Sequence, residues 1–443
     1  MQVTLKRKIS LVQATAINMI DMVGIGPFVT LYMVIHIMNG PWFIYAWVAG
    51  AFLAFMDAMV WSELGAAYPR AGGSYNFLKI AYGERKWGRL ISFLYVWQTC
   101  IQAPLVIASA AIGFSGYLSY FIPLTPLIAK LVSAALVISV IILLYRNIEQ
   151  IGKISVAMWV SVFAVFAWII VGAVGHGSFL QPLKHINDHI HFNYMLFVAL
   201  GQASVKSVYS YLGYYNVCNL GGEIKNPGKN IPKSMFISIA GIFALYMALN
   251  ISVTSVIPWQ QAMQSKFVVS DFINSISGKN ASFVATVLIL LVAFSSVFSA
   301  TLGYSRVPYA AAADGAFFKP FARLHPTKNF PYVSLLFIGA MGLIFSLLFR
   351  LSSVIDAILA MRILVQFVAQ AIGVFLLRKR YGTKNLPFKM WLYPLPVIIS
   401  IGLWLLIFIS TGWLAIWGLL IAAAGVIVYF LTPLGKKSRK DQA

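Results

Sequence analysis

Charged residues, and acidic ones above all, are scarce in this chain. Only 11 of its 443 residues are aspartate or glutamate, and charged residues of both signs make up 10% of the sequence, whereas hydrophobic residues make up 60%. A soluble globular domain carries about 25% charged residues. The composition therefore excludes a soluble protein and predicts an all-α integral membrane protein that lies in a lipid bilayer.

Cysteine is equally rare, and its placement excludes several kinds of site. Cys100 and Cys218 both lie in predicted membrane spans, and neither has the spacing of a metal motif. We therefore predict two buried thiols, no disulfide framework, no metal site and no cofactor. The sequence also lacks a nucleophile–base pair and a phosphate-binding loop, so an enzyme is not expected.

Histidine is concentrated in one predicted external loop. Residues 176–193 hold four of the six histidines: His176, His185, His189 and His191. A metal site is conceivable there, but the spacing matches no known zinc motif. We interpret this segment as a solvated extracellular loop.

The net charge of +22 has a topological explanation. Of the 33 lysine and arginine residues, 25 fall in loops on one predicted side of the membrane and five on the other. This is the positive-inside pattern of membrane proteins. It predicts that both termini are cytoplasmic, that the number of spans is even and that the protein lies in a cell membrane, inner or plasma. It also argues against nucleic-acid binding.

Apolar segments long enough to cross a bilayer, which takes ~20 residues, recur along the whole chain. We count twelve, near residues 10–37, 41–68, 88–120, 124–145, 154–175, 192–219, 232–257, 282–313, 331–349, 353–378, 390–410 and 412–432. No cleavable signal peptide is expected, because the basic residues 6–8 lead into a segment too long for a signal sequence.

Glycine and proline interrupt two of these segments at corresponding places. Gly24, Gly26 and Pro27 break the first span, and Gly213 breaks the sixth. Lipid offers no water to the freed backbone groups, so such breaks are tolerated only where they are buried or line a cavity. Matched breaks that open two five-helix sets predict an inverted repeat with a substrate site near the midplane, as in secondary transporters.

The ends of the half-helices at such a break form a receptor for a zwitterion. The N-terminal end presents free N–H groups, which suit a carboxylate, and the C-terminal end presents carbonyls, which suit an ammonium group. Ile25, Gly26 and Phe28 can offer N–H groups, whereas Pro27 cannot. Gly24 and Gly26 let a ligand approach the backbone closely. The alternative interpretation is a glycine pair that serves helix packing.

Four sequence blocks together resemble the amino acid–polyamine–organocation (APC) superfamily. They are residues 24–26, 68–75, 209–214 with 223–232, and 305–309 with 313–315. Their order and spacing resemble the first-, third-, sixth- and eighth-helix motifs of that superfamily and cover most of the first ten spans. The third block is most similar to L-type amino acid transporters, and residues 361–367 resemble the polyamine-transporting branch.

The resemblance implies a fold with twelve transmembrane helices. It is the leucine-transporter-like 5+5 inverted repeat, in which helices 1 and 6 are broken. The implied division is a cytoplasmic segment 1–9, a first repeat 10–185 (helices 1–5), a second repeat 186–380 (helices 6–10), helices 11–12 in 381–435 and a basic cytoplasmic tail 436–443.

The resemblance also implies a substrate site at the breaks. The substrate carboxylate would meet the N–H groups of Ile25 and Gly26. The α-ammonium group would meet the backbone carbonyls of Met22, Tyr209, Ser210 and Leu212. Tyr209 stands at the aromatic gate position of the family and Tyr214 where an aromatic side chain shapes the pocket, although ordinary aromatic packing is the alternative for both.

Ionisable residues inside spans are costly and usually functional. Asp21 and Lys206 lie in the half-helices that lead into the breaks. We hypothesise that they form a buried pair or a proton-responsive couple; a static ion pair is the alternative. Glu63, Arg306 and Arg362 lie toward cytoplasmic ends or loops in the predicted topology, so we interpret them as structural or gating partners of loops.

Together these patterns predict a secondary active transporter that moves amino acids by alternating access, either coupled to protons or as an exchanger. A polyamine or cationic-amine transporter is the alternative, since Asp21 could take an extra ammonium group, although Lys206 would oppose a dication. A channel is the alternative from another class, but no filter-like repeat is present.

The predicted partners are a small-molecule substrate and the lipid bilayer. L-type relatives can attach a glycoprotein through an external cysteine, and no external-loop cysteine exists here, so no disulfide-linked partner is expected. No oligomeric state is predicted.

Overall fold

The structure, a computed structural model, is helical throughout the part that it describes. It describes residues 5–83, 87–146, 148–176, 181–184, 186, 190 and 192–431. Within these ranges the chain forms no β-strand, only the isolated bridges Ile9–Ile224 and Ala71–Leu220. The all-helical prediction is therefore confirmed. The predicted external histidines His185, His189 and His191 lie outside the described residues.

The α-helices follow the predicted apolar segments closely. They are α1 Leu11–Val23, α2 Gly26–Met38, α3 Ile44–Ala67, α4 Ser74–Ala81, α5 Trp87–Leu118, α6 Pro126–Leu144, α7 Ile148–His176, α8 Gln181–Lys184, α9 Tyr194–Tyr211, α10 Asn216–Asn219, α11 Pro227–Val256, α12 Trp259–Ala262, α13 Val268–Tyr304, α14 Arg306–Ala313, α15 Tyr332–Leu348, α16 Leu351–Arg362, α17 Ala369–Tyr381, α18 Leu395–Ser410 and α19 Leu414–Leu431. A π-helical segment, Ile363–Val368, joins α16 to α17, and short 3₁₀ turns lie at Pro41–Phe43, Gly221–Glu223 and Lys319–Ala322.

The outer helices present apolar side chains to their surroundings, as lipid contact requires. In the most apolar windows of α6 and α7 only 28% of the residues are buried, and in that of α19 only 17%. Leu127, Ile142, Val171 and Leu431 are among the exposed large hydrophobic side chains. In water such a surface would cost roughly 25 cal/mol per Å², so these helices are suited to a bilayer.

Eight of the described helices are long and apolar enough to cross a membrane. The bent pair α1–α2 raises the number to nine if it counts as one span, and α15 and α18 are shorter apolar helices. The chain is thus an integral membrane protein, while the count of twelve spans and the predicted repeat bounds stay predictions.

The first predicted break separates two helices that meet at an angle of 41°. A capping box of Ser10 and Gln13 begins α1. Gly24 ends it at a φ of 38°, which L-residues with a side chain rarely adopt. Pro27 stands in the first turn of α2, where its missing N–H leaves no acceptor unpaired. The sequence thus stops one helix and starts the next within three residues.

The second predicted break lies where α9 ends. Leu212 is extended, with a ψ of 145°, and Gly213 has a φ of 123°. The chain then forms the single turn α10 and the 3₁₀ turn before it enters α11. In the folded chain α2 packs against α9, and α1 packs against α7, α11 and α13. The two interruptions therefore face each other inside the helix bundle.

Candidate functional site

A cavity lies between the two helix interruptions, and we call it the central pocket. Its cavity volume is about 30 Å³. Its walls come from both interruptions and from α5, α13 and α16. The residues that line it are Asp21, Met22, Gly24, Ile25, Gly26, Val106, Ala110, Tyr209, Leu212, Gly213, Tyr215, Ser296, Tyr304 and Arg362.

Eight of the twelve site residues predicted from the sequence line the central pocket. These eight are Asp21, Met22, Gly24, Ile25, Gly26, Tyr209, Leu212 and Gly213. The other four, Pro27, Lys206, Ser210 and Tyr214, lie outside its wall. The glycines that break the helices are therefore also the residues around which the cavity forms.

The N-terminus of α2 opens into this cavity with free donors. Within the described part of the chain, no backbone acceptor binds the N–H groups of Ile25 and Gly26. The aligned peptide dipoles of a helix place roughly half a positive charge at this end. A carboxylate group is the natural ligand for such donors.

Three of the four carbonyls predicted to meet an ammonium group already accept a hydrogen bond, that of Tyr209 from the Leu212 N–H at 3.2 Å. The hydroxyl of Tyr246, on α11, lies 2.9 Å from the carbonyl oxygen of Met22 and 2.9 Å from that of Ser210. The Ser210 hydroxyl shares a further hydrogen bond of 2.9 Å with Thr30. Ser210 thus lies behind the pocket wall and links the second interruption to the first. Tyr246 belongs to none of the motifs, so sequence reasoning missed it.

Lys206 pairs with Asp356 on α16, so the hypothesis of an Asp21–Lys206 pair is wrong for this structure. Both residues precede a break, but the side of α9 that carries Lys206 faces α16. Asp21 instead lines the central pocket and is only partly buried. Among the described residues, its carboxylate has no hydrogen-bonded or ion-paired partner. The charge that acts on it is that of Arg362.

Arg362 lies in the pocket wall, not at a cytoplasmic loop as its place in the predicted span suggested. Its side chain is 2% exposed. The guanidinium carbon lies 4.9 Å from the ring centre of Tyr215 and 5.1 Å from that of Phe367, and its Nε donates to Gln366 at 2.9 Å. The π-helical segment begins directly after it, and such segments are frequent at functional sites. The signal available in the sequence was an arginine within an apolar stretch.

Tyr215, and not the predicted Tyr214, shapes the pocket. The two rings contact each other edge to face at 5.0 Å between centres, but of the two only Tyr215 lines the cavity. The Tyr215 hydroxyl lies 3.4 Å from that of Tyr304 on the pocket wall. The Tyr214 hydroxyl donates to Asp57, on α3, at 2.5 Å. At the predicted gate position, Tyr209 shares a hydrogen bond of 2.9 Å with Ser109 on α5.

Two buried ion pairs lie away from the pocket wall. The first binds the segment between the second interruption and α11, and the second binds the end of α17. Arg306 donates to Glu223 through Nε at 2.8 Å and Nη2 at 3.3 Å. Arg378 donates to Glu63 at 2.7 Å and 2.5 Å. Glu63 and Arg306 thus bind loop or helix-end residues, in agreement with their predicted structural role.

The described residues include no group of three metal-ligating side chains. His176 is exposed at the end of α7. Cys218 is buried, as predicted, whereas Cys100 is only partly buried, and both are free thiols.

Comparison with known proteins identifies the family. Residues 9–432 match the amino acid permease family. The branched-chain amino acid permease BcaP of Bacillus subtilis is 25% identical, over 97% of this chain and 93% of that protein. The serine/threonine exchanger SteT of the same organism is 24% identical over 98% of both chains. The human cationic amino acid transporter 4 is 24% identical over 85% of this chain and 61% of its own length.

One relative is named for a substrate that is not an amino acid. The methylthioribose transporter of Bacillus subtilis is 24% identical, over 97% of this chain and 94% of that protein. Its similarity has the same extent as that of the amino acid permeases. The chain belongs to the amino acid permease family of the APC superfamily, a family of integral membrane transporters.

Proposed function

We propose that this protein is a secondary active transporter that moves zwitterionic amino acids across the membrane by alternating access, either with protons or in exchange for internal substrate. The observation that carries this proposal is the central pocket, where free N–H groups of α2 and the unpaired carboxylate of Asp21 face one cavity. The N–H groups of Ile25 and Gly26 bind the substrate carboxylate. Asp21 binds the α-ammonium group, together with the carbonyls of Tyr209 and Leu212.

The charges of the central pocket favour a substrate without net charge. When Asp21 and Arg362 are both ionised, their charges cancel and the empty pocket is neutral. A zwitterion preserves this balance, whereas putrescine would add two positive charges to a site shielded from water. An uncompensated buried charge costs several kcal/mol. Arg362, rather than Lys206, is therefore the residue that opposes the polyamine alternative.

The hydrogen bonds around the interruptions support movement of both as one body. Tyr246 binds a carbonyl of each, and Thr30 binds Ser210 across them. Gly24 and Gly213 supply the conformational freedom that hinges require. The Lys206–Asp356 pair joins α9 to α16, and the Glu223–Arg306 pair joins the 3₁₀ turn before α11 to α14.

The same proposal includes the arrangement in the membrane. Twelve spans in a 5+5 inverted repeat, with both termini cytoplasmic, account for the distribution of lysine and arginine. The two interruptions then stand near the midplane of the bilayer.

Uptake into proteoliposomes tests the proposed function. The purified protein is given labelled neutral, cationic and acidic amino acids and putrescine, with and without a proton gradient or internal substrate. We expect saturable uptake of neutral amino acids that Gly26→Val abolishes, because a side chain there meets Ser210 and covers the free N–H groups. A Cβ at Gly26 would already lie 3.2 Å from the Ser210 hydroxyl.

Gly116→Val is the matched control, since a Cβ at Gly116 meets no atom within 4 Å. Uptake of putrescine alone would replace the proposal with the amine alternative. Electrical current far above the substrate flux would replace it with a channel.

Replacement of Arg362 is expected to change substrate selectivity. In Arg362→Gln the pocket loses the positive charge that opposes a bound cation, so a cation gains relative to a zwitterion. We expect neutral amino acids to bind at least tenfold more weakly, a change of about 1.4 kcal/mol, and putrescine to become a competitor. Competition binding measures both changes. Arg350→Gln, at the exposed start of α16, is the control, and an unchanged selectivity in Arg362→Gln would contradict the charge argument.

A further inference from the structure

Asp57 is a buried carboxylate that the proposed substrate site does not use. It lies in the middle of α3 with no exposed surface. The hydroxyl of Tyr214 donates to one of its oxygens at 2.5 Å, and the hydroxyl of Ser400, on α18, donates to the other at 3.0 Å. Among the residues that the structure describes, no cation pairs with it. A carboxylate buried without a cation is costly inside a membrane and usually functional.

The groups around Asp57 suit both of its protonation states. A hydroxyl can donate to a carboxylate or accept from a carboxylic acid, so Tyr214 and Ser400 serve either form. The indole N–H groups of Trp61 and Trp404 also lie beside the carboxylate. Neither indole forms a hydrogen bond of good geometry with any described residue. Both remain available to the ionised form.

The same groups do not suit a metal cation. Na⁺ or Ca²⁺ requires several oxygen ligands, whereas two of the four groups that face Asp57 are N–H donors with no lone pair to offer. The proton is the one cation that this environment fits.

Aromatic stacking connects Asp57 to the central pocket. The ring of Trp61 stacks on that of Tyr215 with 4.7 Å between centres, and Trp404 stacks on Phe367 at 3.9 Å. Tyr215 and Phe367 are the two rings against which the guanidinium of Arg362 packs. Asp57 therefore lies directly behind the aromatic wall of the pocket, and a change in its charge acts on that wall.

Tyr214 gives Asp57 a second connection, to the hinge itself. It follows Gly213, where the second interruption turns. When Asp57 is ionised, it accepts the hydrogen bond from the Tyr214 hydroxyl, which anchors this turn to α3. When Asp57 is protonated, the charge-assisted part of this bond is lost, which weakens the anchor by roughly half.

No other ionisable group among the described residues near α3 shares the position of Asp57. The other ionisable groups on α3 and on the elements packed against it are Tyr45 and Glu63 on α3, Tyr194, Lys206, Tyr209 and Tyr211 on α9, Tyr214 and Tyr215 after it, Lys229, Lys233 and Tyr246 on α11, and Arg378, Lys379, Arg380 and Tyr381 on α17; α18 carries none. Of these described groups, Tyr214 is the one whose hydrogen bond reaches Asp57. The acidic residue among them, Glu63, is already paired with Arg378.

We propose that Asp57 is the proton-binding site through which amino acid transport is coupled to a proton gradient. This inference rests on the proposed function and assigns its coupling ion. One proton passes from water to the Asp57 carboxylate on one side of the membrane and returns to water on the other, so no other reactant is needed. Because Asp57 has no exposed surface, the exchange takes place when the turn at Gly213 moves and opens a path to water.

The decisive variant is Asp57→Asn, which keeps the size of the side chain but cannot bind a proton. In proteoliposomes we expect it to lose the accumulation of a neutral amino acid driven by an inward proton gradient. Exchange of labelled for internal amino acid persists, because Asp57 does not line the central pocket and exchange moves no net proton. Asp271→Asn is the matched control, since this aspartate at the start of α13 binds Ser265 outside the pocket, and we expect it to accumulate substrate as the wild type does.

A second variant keeps the carboxylate and tests the same site if Asp57→Asn does not fold. Ser400→Ala removes one donor to the ionised form, so we expect the pH of half-maximal uptake to rise. Infrared difference spectra of the wild type should show the C=O band of a carboxylic acid that disappears as the pH increases through the same range.

Three results separate this inference from the proposed function. Gradient-driven accumulation by Asp57→Asn at the wild-type level would overturn the inference alone. A wild type whose uptake does not respond to pH, with Ser400→Ala identical to it, would do the same. A wild type that binds no amino acid in calorimetric titration would reject the proposed function, and the inference with it.

Discussion

Replacement of Gly213 by alanine is expected to abolish transport. The added methyl group would lie 2.8 Å from the backbone nitrogen of Met22 and 2.9 Å from the carbonyl carbon of Asp21. A φ of 123° is also unfavourable for any residue with a side chain. Conformational strain of ~1–2 kcal/mol adds to an overpacking cost of ~1–3 kcal/mol. The backbone of Met22 cannot easily move away, because Tyr246 binds its carbonyl.

Two measurements check this expectation. Uptake into proteoliposomes should fall to the level of empty vesicles, and the thermal unfolding temperature in detergent should decrease. Gly402→Ala, on α18, is the control, since a methyl group there meets no atom within 4 Å. Uptake by Gly213→Ala close to that of the control would show that the second interruption tolerates a side chain and does not act as a hinge.

Removal of Arg306 is expected to cause a large loss of stability. The side chains of Arg306 and Glu223 are 1% and 0% exposed, and their ion pair is bidentate. Arg306→Met leaves the Glu223 carboxylate buried without a partner, which costs about 3–5 kcal/mol. The free energy of unfolding, measured with a chemical denaturant in detergent, should fall by this amount.

The double variant Arg306→Met with Glu223→Gln provides the decisive comparison. It removes the stranded charge, so we expect it to regain part of the stability that the single variant loses. Lys8→Gln serves as the control, because the Lys8–Glu149 pair is 3.7 Å long with both side chains about half exposed and exposed pairs contribute at most ~1 kcal/mol. Equal losses in Arg306→Met and Lys8→Gln would contradict the importance of the buried pair.

The positions of the helix interruptions and most of the pocket followed from the sequence. Glycine and proline disrupt a helix through their own backbone chemistry, so Gly24, Pro27 and Gly213 mark the interruptions without knowledge of their neighbours. The apolar segments likewise determine their own helices. Residues close to an interruption, such as Asp21 and Ile25, therefore line the central pocket, while their role in substrate binding stays a prediction.

What could not be predicted depends on which side of a helix meets which neighbour. Lys206 stands as close to its break as Asp21 does, yet helix packing directs it to Asp356. The choice between Tyr214 and Tyr215 depends on the turn at Gly213. Arg362 was predicted to lie far from the interruptions, because its position along the span was estimated from hydropathy. These contacts depend on how helices that are far apart in the chain pack together. A single sequence does not show which distant residues will meet.

The Tyr246 hydroxyl, which contacts a carbonyl at each interruption, also affects how often the transporter changes conformation without substrate. A transporter wastes its gradient whenever one half-helix moves while the other stays. Tyr246 has a single hydroxyl proton, which the carbonyls of Met22 and Ser210 share, so such a partial movement would break one arm of this bond at a cost of up to about 1 kcal/mol. Since 1.4 kcal/mol is a factor of ten, slippage without substrate would become up to about fivefold rarer. In the proposed mechanism, Tyr246 would thus help to keep substrate movement coupled to the driving gradient.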